Sequence, residues 1–454
     1  MTKDNESFDL STLPSVDALL QSVSDIELPH NLKKNEARTL LDDIRERASK
    51  GKAAPQGKVE SSYRKKLLKI ANSLRRVING TGVVIHTNLG RSPLSAQMLE
   101  AMEALRDGYV NLELDLDDGR RGNRHDHLRP WIQSISAAED GILVNNNAAA
   151  VLLTLNTLAD RKEVIISRGQ LVEIGGSFRI PEILRKAGSK LVEVGTTNRT
   201  HLKDYAEAIT PRTRLLLWVH TSNYKISGFT KEVSLQDLVA LGQEHSIPVM
   251  ADLGSGALVP IDEFGLQREP LVSEVIEAGV DIVTFSVDKL LGGPQGGVIA
   301  GRQALIKKIE KNNLLRALRP DKTQIILTLQ ALKAFSRGDE GLNDIPIYRD
   351  LHTSVQTLKK RAQSLVSKIE NSSLSLSVLD TEAQVGSGAS PSEKMTSVGI
   401  GIKHTKMKAA RISSCMRSSH PAIMGRITND LFIIDLKAVR ESEDALILAA
   451  LRLL

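Results

Sequence analysis

The sequence predicts an α/β protein in which a large domain with a mainly parallel sheet follows a small helical domain and precedes an α+β C-terminal domain. The first observation is that strand-like and helix-like segments alternate at short intervals from Val77 onward, which is typical of a parallel sheet. The second is that residues 281–287 have the length and β-branched content of a strand buried on both faces. The third is a change to longer helical patterns past Gly301.

The N-terminal region has the pattern of a helical unit with an exposed joint. Residues 16–23 and 35–48 show short amphipathic patterns, and residues 50–58 have the Gly, Pro and Lys content of a connection. A basic helix over residues 63–74 then leads into the next domain. We therefore assign residues 1–60 to a helical N-terminal domain and residues 61–76 to a basic linker helix.

The large α/β domain is assigned to residues 77–320. Helices are predicted at residues 235–244 and 271–278, between apolar runs of strand length. The predicted strands are residues 141–144, 163–166, 190–194, 215–220, 249–251 and 282–287.

The C-terminal α+β domain is assigned to residues 321–454. Helices are predicted within it at residues 321–336 and 351–369, and a last helix ends at Leu454; a further helix at residues 303–318 precedes the domain. Residues 397–403 resemble a strand, and residues 422–436 resemble a hairpin that turns at Asn429 and Asp430. Residues 380–394 are predicted to form an exposed loop.

Composition narrows the class of protein. The chain has 454 residues, of which 41% are hydrophobic and 25% are charged, as in ordinary soluble globular proteins. No apolar run is long enough to span a bilayer, and the first residues lack the order of a signal peptide, so we expect a cytoplasmic protein without a membrane partner. The single cysteine, Cys415, excludes an intrachain disulfide and a cysteine-rich metal site, and no metal site is predicted.

The net charge of +6 is unevenly distributed along the chain. Residues 1–30 contain one Lys and six acidic residues, whereas residues 31–76 contain fourteen Lys and Arg and five acidic residues. This basic block is either a solvated helical face or a surface that contacts a phosphate backbone. Tyr63 is the only Phe, Trp or Tyr in the block, which disfavours stacking on single-stranded bases and favours folded RNA, read by shape, rather than DNA.

Lys289 follows a predicted strand and precedes a glycine-rich turn, at the edge where open α/β sheets bind ligands. It either extends to solvent or pairs with Asp288, or it lies partly desolvated with a lowered pKa and forms a Schiff base with a carbonyl cofactor. Asp252 ends a second apolar run and favours the latter. A lysine and a carboxylate at neighbouring strand ends are what pyridoxal phosphate (PLP) requires, since the acid keeps the pyridinium nitrogen protonated.

Two further groups suit anions. Asn146 and Asn147 lie between a strand and an apolar helix, where free N–H groups and the helix dipole favour a phosphate, although helix capping by one Asn is the simpler alternative. Arginines recur beside glycine turns or in a helix, where each alone is most often a surface ion pair. Together they predict a second, anionic substrate. These arginines are Arg91, Arg121, Arg124, Arg168, Arg316 and Arg319.

Motifs of other enzyme classes are absent from the sequence. The segment GGPQGG lacks the GK[ST] ending of a P-loop, and DLGSGA lacks the third glycine of a dinucleotide-binding fingerprint. Neither HExxH nor GxSxG occurs, so zinc peptidase and serine hydrolase chemistry have no support.

Long segments of the chain are similar to bacterial selenocysteine synthases, the L-seryl-tRNA(Sec) selenium transferase family. The similarity runs in order from about Leu13 to the C-terminus and is strongest over residues 78–322. The segments that carry it are INGTGVVIHTNLGRSPLS, ILVNNNAAAVLLTLNTLA, SRGQLVEIGGSFRIP, VEVGTTNRTHLKDY, VHTSNYKISGFTKE, DLGSGAL and FSVDKLLGGPQGG.

The resemblance implies a PLP-dependent enzyme of aminotransferase fold type I, a tRNA-binding N-terminal domain and a homodecamer built of dimers. It implies that Lys289 is the Schiff-base lysine, that Asp252 is the pyridinium partner, and that Asp288 is a catalytic acid of the same motif. The cofactor residues it implies, with His220 added as a neighbouring candidate, are Asn146, Asn147, Ser286 and His220. The arginines expected to hold selenophosphate are Arg91, Arg124, Arg316 and Arg319, with Arg121 as a further candidate.

The implied reaction converts L-seryl-tRNA(Sec) to L-selenocysteinyl-tRNA(Sec) by loss of the serine hydroxyl, through an aminoacrylyl intermediate, and addition of selenium from selenophosphate. The general acid for hydroxyl loss stays open between Asp288 and His220. The chain departs from the family pattern at Val287, where Gly is usual, and at Gly296, where Ala is frequent. Two alternatives remain: a PLP-dependent lyase acting on a free amino acid or an amino sugar acid, and a non-catalytic RNA-binding protein.

Overall fold

A computed structural model describes residues 12–50, 59–174, 178–224, 226–386 and 393–454. The chain separates into two compact units, Met1–Arg76 and Val77–Leu454. Most of the connection predicted at residues 50–58 lies outside the described residues. The domain boundaries predicted at residues 60 and 320 stay predictions.

In the described ranges, all regular secondary structure of the N-terminal unit is helical. Its helices are α1 (Val16–Gln21), α2 (His30–Ser49) and α3 (Val59–Ala71). Ser15 caps α1 by accepting a hydrogen bond from the Ala18 amide at 3.1 Å. Tyr63 is fully buried and donates its hydroxyl to the Lys33 carbonyl at 2.7 Å. Tyr63, the one Phe, Trp or Tyr of the basic block, therefore belongs to the core of this unit and is not available to stack on a base.

The second unit contains the large sheet and a smaller antiparallel sheet. Its strands are β1 (Val77–Asn79), β2 (Asp140–Val144), β3 (Glu163–Ser167), β4 (Glu173–Ile174), β5 (Phe178–Arg179), β6 (Lys190–Val194), β7 (Thr213–Val219), β8 (Val249–Gly254), β9 (Ile282–Ser286), β10 (Gly297–Gly301), β11 (Leu374–Ala383), β12 (Met395–His404), β13 (Ala422–Met424), β14 (Arg426–Thr428) and β15 (Leu431–Asp435). Its helices are α4 (Ala96–Glu103), α5 (Arg129–Ser136), α6 (Asn147–Ala159), α7 (Ile180–Lys186), α8 (Leu202–Ala208), α9 (Leu235–Glu244), α10 (Val272–Glu277), α11 (Gln303–Glu310), α12 (Leu315–Leu318), α13 (Lys322–Phe335), α14 (Gly338–Asp344), α15 (Pro346–His352), α16 (Val355–Ser367), α17 (Ala409–Ser418) and α18 (Asp444–Arg452).

The large sheet has the strand order β2-β10-β9-β8-β7-β3-β6. Strand β10 runs antiparallel to β2 and β9, and the remaining pairs are parallel. Both faces are buried, so successive residues of one strand enter different cores: Leu216 packs in one, and Leu215 and Leu217 pack in the other. The predicted α/β class with a mainly parallel sheet is confirmed.

The C-terminal region contains the antiparallel sheet β11-β12-β15-β14, which packs against α16, α17 and α18. The predicted turn is present between β14 and β15, where Asn429 and Asp430 have positive φ angles of 51° and 55°. The first strand of the predicted hairpin does not pair as expected, because β13 pairs in parallel with β1. This pairing joins the start of the second unit to its C-terminal region.

Two predicted helices are wrong in extent. Residues 303–318 form α11 and α12, with a break at Asn312, whose side-chain amide donates to Asn156 and Thr157 at 2.8 Å and whose oxygen accepts from the Leu314 amide. An asparagine that bonds in this way competes with the helix for local backbone groups. Residues 351–369 span the end of α15 and then α16, which Ser354 caps by accepting from the Thr357 amide.

The predicted loop at residues 380–394 is partly a strand, since β11 extends to Ala383, and residues 387–392 lie outside the described part. Among the described residues, no helix is both long and apolar enough to cross a membrane.

Asp435 organises the edge of the C-terminal sheet where β15 ends. Its carboxylate is fully buried and accepts hydrogen bonds from Ser397 at 2.6 Å, from Thr381 at 2.7 Å and from the Arg426 guanidinium at 3.0 Å. A buried carboxylate is stable only with such partners. The network therefore ties β11, β12, β14 and β15 together.

We expect Asp435→Asn to lower the free energy of unfolding by about 2–3 kcal/mol, because it removes the charge opposite a partly exposed Arg426. Urea denaturation followed by circular dichroism measures the change. The matched control is Asp430→Asn in the exposed turn, for which a change within about 0.5 kcal/mol is expected. Equal effects of the two substitutions would contradict the role of the network.

Candidate active site

A cavity of about 300 Å³ lies at the carboxyl ends of β7, β8 and β9. This is the edge of the sheet where the sequence predicted a ligand site. The cavity brings together most of the predicted residues. These are Arg91, Asn146, Asn147, His220, Asp252, Ser286, Asp288 and Lys289.

Lys289 lies three residues beyond the end of β9 and is 4% exposed. Burial, and secondly the positive charge of Arg91, lower the pKa of its amine. The backbone around it is fixed from a distant loop, because Ser92 donates its hydroxyl to the Lys289 carbonyl at 2.8 Å. Lys289 is therefore buried and desolvated in the structure, as the second interpretation of the sequence requires.

Asp252 occupies β8, the strand beside β9, and is almost fully buried. Its Oδ1 accepts from the Asn147 side-chain amide at 2.8 Å and from the Thr284 hydroxyl at 3.1 Å. Burial raises the pKa of this carboxyl, although the two hydrogen bonds and the charge of Lys289 act in the opposite direction. A cation placed beside Asp252 would favour its ionised form.

The two asparagines have separate contacts. Asn146 caps α6 by accepting from the Ala149 amide at 2.9 Å, which is the simpler of the two sequence interpretations. The Asn147 side-chain amide donates to the Asp252 carboxylate. The N-terminus of α6 still lines the cavity through Asn147 and Ala148, so an anion there would meet backbone N–H groups.

Arg91 and Asp288 form an ion pair in the same cavity. Their nearest atoms, Nη1 and Oδ2, are 2.6 Å apart, and the Asp288 side chain is 9% exposed. Arg91 adopts a positive φ of 62° directly after Gly90. This turn brings the guanidinium to the residue that precedes Lys289.

Sequence reasoning missed several polar residues of this region. Ser222 is buried in the cavity wall, and its hydroxyl has no hydrogen-bond partner among the described residues. Glu269 is 3% exposed and lies 3.2 Å from the Nε2 atom of His220. Ser222 lies three residues beyond β7 in the segment VHTSNYKISGFTKE, but nothing in the local pattern distinguishes it from its polar neighbours, and Glu269 lies in the connection between β8 and α10. The folded chain is needed to show that both are buried beside the cavity.

Three of the other predicted arginines line a second cavity of about 290 Å³, namely Arg124, Arg316 and Arg319. Arg124 donates from Nε to Glu113 at 2.9 Å, and Arg319 lies 3.5 Å from the same carboxylate oxygen. The hydrogen bonds from Arg124 are the main cause of a lowered pKa at Glu113. Arg316 lines this cavity too, whereas the side chain of Arg121 is 80% exposed and 3.6 Å from Glu113.

Within one chain, the predicted arginines therefore do not form a single cluster. Arg91 lies with Lys289, and Arg124, Arg316 and Arg319 lie with Glu113. Arg316 and Arg319 do not share a helical face, because α12 ends at Leu318 and Arg319 is in an extended conformation. A hydrogen bond of 2.9 Å from the Asn145 amide to the Leu318 carbonyl connects the two regions.

Comparison with known proteins agrees with this geometry. A family model described as L-seryl-tRNA selenium transferase matches residues 77–440. The L-seryl-tRNA(Sec) selenium transferase of Carboxydothermus hydrogenoformans is 50% identical over 371 residues, which cover 81% of this chain and 79% of the relative. That of Geobacter sulfurreducens is 41% identical over 456 residues, covering 97% of this chain and 98% of the relative.

The chain belongs to the L-seryl-tRNA selenium transferase family. The resemblance predicted from the sequence motifs is thereby confirmed. Among solved structures, a D-glucosaminate-6-phosphate ammonia-lyase superposes with a TM-score of 0.61 at 20% identity, covering 85% of this chain and 97% of that chain. At this identity the likeness supports the fold.

The two departures from the family pattern meet in the structure. Gly296 lies against Val287, and a Cβ atom added to Gly296 would be 3.1 Å from Cγ2 of Val287. The Val287 amide donates to the Gly296 carbonyl at 2.9 Å. The larger residue at one position thus occupies the space left by the smaller residue at the other, and the turn beyond Lys289 keeps its packing.

Gly297 brings β10 close to the asparagine turn. A Cβ atom there would be 2.3 Å from the carbonyl carbon and oxygen of Asn146 and 2.6 Å from the Asn147 nitrogen. These are backbone atoms, which cannot move aside as a flexible side chain can. The position of the α6 N-terminus therefore depends on a glycine in β10.

We expect Gly297→Ala to shift the asparagine turn and weaken binding of a phosphate-bearing cofactor at least about tenfold, because the N–H groups of α6 move. Titration of the purified apoprotein with PLP, followed by visible absorption, measures the affinity. Gly108→Ala is the matched control, since its added Cβ would meet only ordinary contacts of 3.7 Å or more. An unchanged cofactor affinity in Gly297→Ala would contradict the expectation.

Proposed function

We propose that this protein converts L-seryl-tRNA(Sec) to L-selenocysteinyl-tRNA(Sec) with PLP as its cofactor and selenophosphate as the selenium donor. The observation that carries the proposal is the meeting of Lys289 and Asp252 in one cavity of a chain that belongs to this family. A cytoplasmic location, where aminoacylated tRNA is available, is part of the same proposal.

The residues of the cavity fit PLP in chemical type. Lys289 would hold the aldehyde, Asp252 would hold a proton on the ring nitrogen, and the α6 N-terminus with Ser286 would bind the phosphate. When bound, PLP supplies an electron-withdrawing ring that stabilises negative charge at the substrate Cα. Among the described residues, the buried hydroxyl of Ser222 and the Oδ1 atom of Asn147 have no hydrogen-bond partner, and a ligand would satisfy both.

The protein's own groups then position the substrate and transfer protons. Burial and Arg91 lower the pKa of Lys289, which increases its neutral fraction and so its capacity to accept the Cα proton of the seryl group. Asn147 and Thr284 orient the Asp252 carboxylate through two hydrogen bonds. Their role is to keep the negative charge of Asp252 in place.

The anionic selenium donor is assigned to arginines. Arg91 is the candidate within the Lys289 cavity, where Asp288 holds its guanidinium. Arg124, Arg316 and Arg319 form the second cationic cavity, with Arg121 at its border. Guanidinium groups favour phosphate-like anions because they donate paired hydrogen bonds.

Because the chain belongs to this family, we also propose that it assembles into a homodecamer built of dimers. This assembly remains a prediction, which the mass of the protein in solution tests.

The tRNA partner is assigned to the N-terminal unit. In α3, Lys65 and Lys69 are exposed and four residues apart, so they project from the same side of the helix. Lys66, by contrast, pairs with Glu36. With Tyr63 in the core, the exposed chemistry of this helix suits contact with phosphates rather than stacking on bases.

A free-amino-acid lyase is less well supported than a tRNA-dependent enzyme. The similarity to the ammonia-lyase concerns the fold, whereas the relative from Geobacter sulfurreducens matches over 97% of this chain, including the N-terminal unit. A non-catalytic RNA-binding role would not explain why Lys289 and Asp252 are buried together in one cavity.

The activity assay supplies purified protein with seryl-tRNA(Sec), PLP and selenophosphate, and mass spectrometry of the aminoacyl ester measures selenocysteine. We expect Lys289→Ala to abolish conversion and to remove the visible absorption of the lysine-bound cofactor. Lys307→Ala, an exposed lysine of α11, should retain both. An unchanged absorption band in Lys289→Ala would refute the assignment of this lysine.

We expect the double substitution Lys65→Glu and Lys69→Glu to weaken binding of tRNA(Sec) about 10- to 100-fold and to reduce its salt dependence, because two phosphate contacts are lost. Filter binding over a range of salt concentrations measures both quantities. The control Lys307→Glu with Lys308→Glu has the same change in charge on the exposed side of α11. Equal losses in both double variants would indicate a general charge effect instead of a binding surface.

A further inference from the structure

A buried polar chain of three residues borders the Lys289 cavity. Ser255 donates its hydroxyl to Oε2 of Glu269 at 2.6 Å, and the same oxygen lies 3.2 Å from Nε2 of His220. Glu269 is 3% exposed and Ser255 is 1% exposed, whereas the His220 side chain is 22% exposed and lines the cavity. The buried carboxylate of Glu269 is thus linked to the cavity through the imidazole of His220.

His220 is held on two further sides. Its ring stacks on Trp218 with 5.9 Å between centroids and 20° between planes, and its backbone amide donates to the Asp252 carbonyl at 2.9 Å. The stacking and the Glu269 contact fix the ring plane. His220 therefore presents a defined orientation to the cavity.

Nε2 is the ring nitrogen that faces Glu269, at 3.2 Å from its Oε2. A carboxylate can only accept hydrogen bonds, so a proton on Nε2 would lie beside an acceptor. The charged groups around His220 are Glu269 on the segment between β8 and α10, Asp252 on β8, and Arg91, Asp288 and Lys289 in the same cavity.

We propose that His220 is the proton donor for loss of the serine hydroxyl, and that Glu269 is its positioning residue. The inference rests on the proposed function, in which the Cβ–O bond of the seryl group breaks. The electron pair released from the Cα–H bond forms the Cα–Cβ double bond, while the electrons of the Cβ–O bond leave with the oxygen, which takes a proton from the His220 imidazolium and departs as water. The neutral imidazole regains its proton from solvent, and the proton removed from Cα stays on Lys289.

The alternative donor, Asp288, is engaged elsewhere. Its carboxylate oxygen already accepts a charge-assisted hydrogen bond from Arg91 at 2.6 Å. Lys289 receives the Cα proton and is not free to deliver another at the same time. His220 combines access to the cavity with a buried carboxylate 3.2 Å from its Nε2.

The test compares two leaving groups on the same tRNA. Hydroxide needs a proton to depart, whereas chloride does not, so β-chloroalanyl-tRNA(Sec) removes the need for the donor. With seryl-tRNA(Sec), we expect His220→Asn and Glu269→Gln each to lower kcat about 100-fold and to change KM less than about twofold. With the chloro substrate, both variants should stay within about threefold of the unsubstituted protein. Equal slowing on both substrates would overturn the proposal.

Two further measurements separate positioning from general damage. The double variant His220→Asn with Glu269→Gln should be no slower than the slower single variant, because both changes act on one proton; multiplied effects would refute this coupling. In the holoprotein without tRNA, Glu269→Gln should shift the pH midpoint of the visible absorption, and Glu269→Asp should return it toward that of the unsubstituted protein. An unshifted midpoint would count against the positioning role.

The matched control is Glu277→Gln, an exposed carboxylate of α10, which should leave the rates and the midpoint unchanged. The absorption titration does not depend on the identity of the substrate. If the unsubstituted protein made no selenocysteine but Glu269→Gln shifted the midpoint, the proposed function would fail while the positioning role stood. The reverse pattern would remove the positioning role alone.

Discussion

The removal from water of one amine and one carboxylate at neighbouring strand ends is the constraint on which the site depends. Lys289 and Asp252 are each at most 5% exposed, and burial is the main influence on the pKa of both. Such groups are costly to bury without partners. The sheet makes the arrangement possible because β8 and β9 are parallel neighbours, and their carboxyl ends lie at the same edge.

Contacts from distant parts of the chain hold the two residues in place. Asn147 at the start of α6 donates to Asp252, and Ser92 in an N-terminal loop of the second unit donates to the Lys289 carbonyl. Arg91 acts in two ways, since it neutralises Asp288 and adds a positive charge that makes protonation of Lys289 less favourable. The reactivity of the lysine is therefore a property of the whole cavity wall.

The sequence revealed the parts of the site that follow from local patterns. Lys289 and Asp252 could be found because each follows a short apolar run, and the family motifs added roles for Arg91 and Asp288. Glu269 could not be found in this way, because its relation to His220 arises only when segments 49 residues apart meet in the fold. The arginines show the same limit: sequence placed them in one set, and the structure separates Arg91 from those around Glu113.

The fold was predictable to a similar degree. Alternation of apolar runs identified the parallel sheet, since both of its faces are buried and its strands are short. Helix ends were less predictable where side chains compete for backbone groups, as Asn312 does between α11 and α12. The partner of β13 was hidden for another reason, because parallel pairing with β1 joins residues more than 340 positions apart.

The contact between Val287 and Gly296 couples the two positions. An alanine introduced at 296 alone would bring its Cβ within 3.1 Å of a fully buried valine, and a glycine introduced at 287 alone would leave an unfilled space next to the lysine turn. The effect of a substitution at either position therefore depends on the residue at the other, so an engineered variant of this turn has to exchange both together.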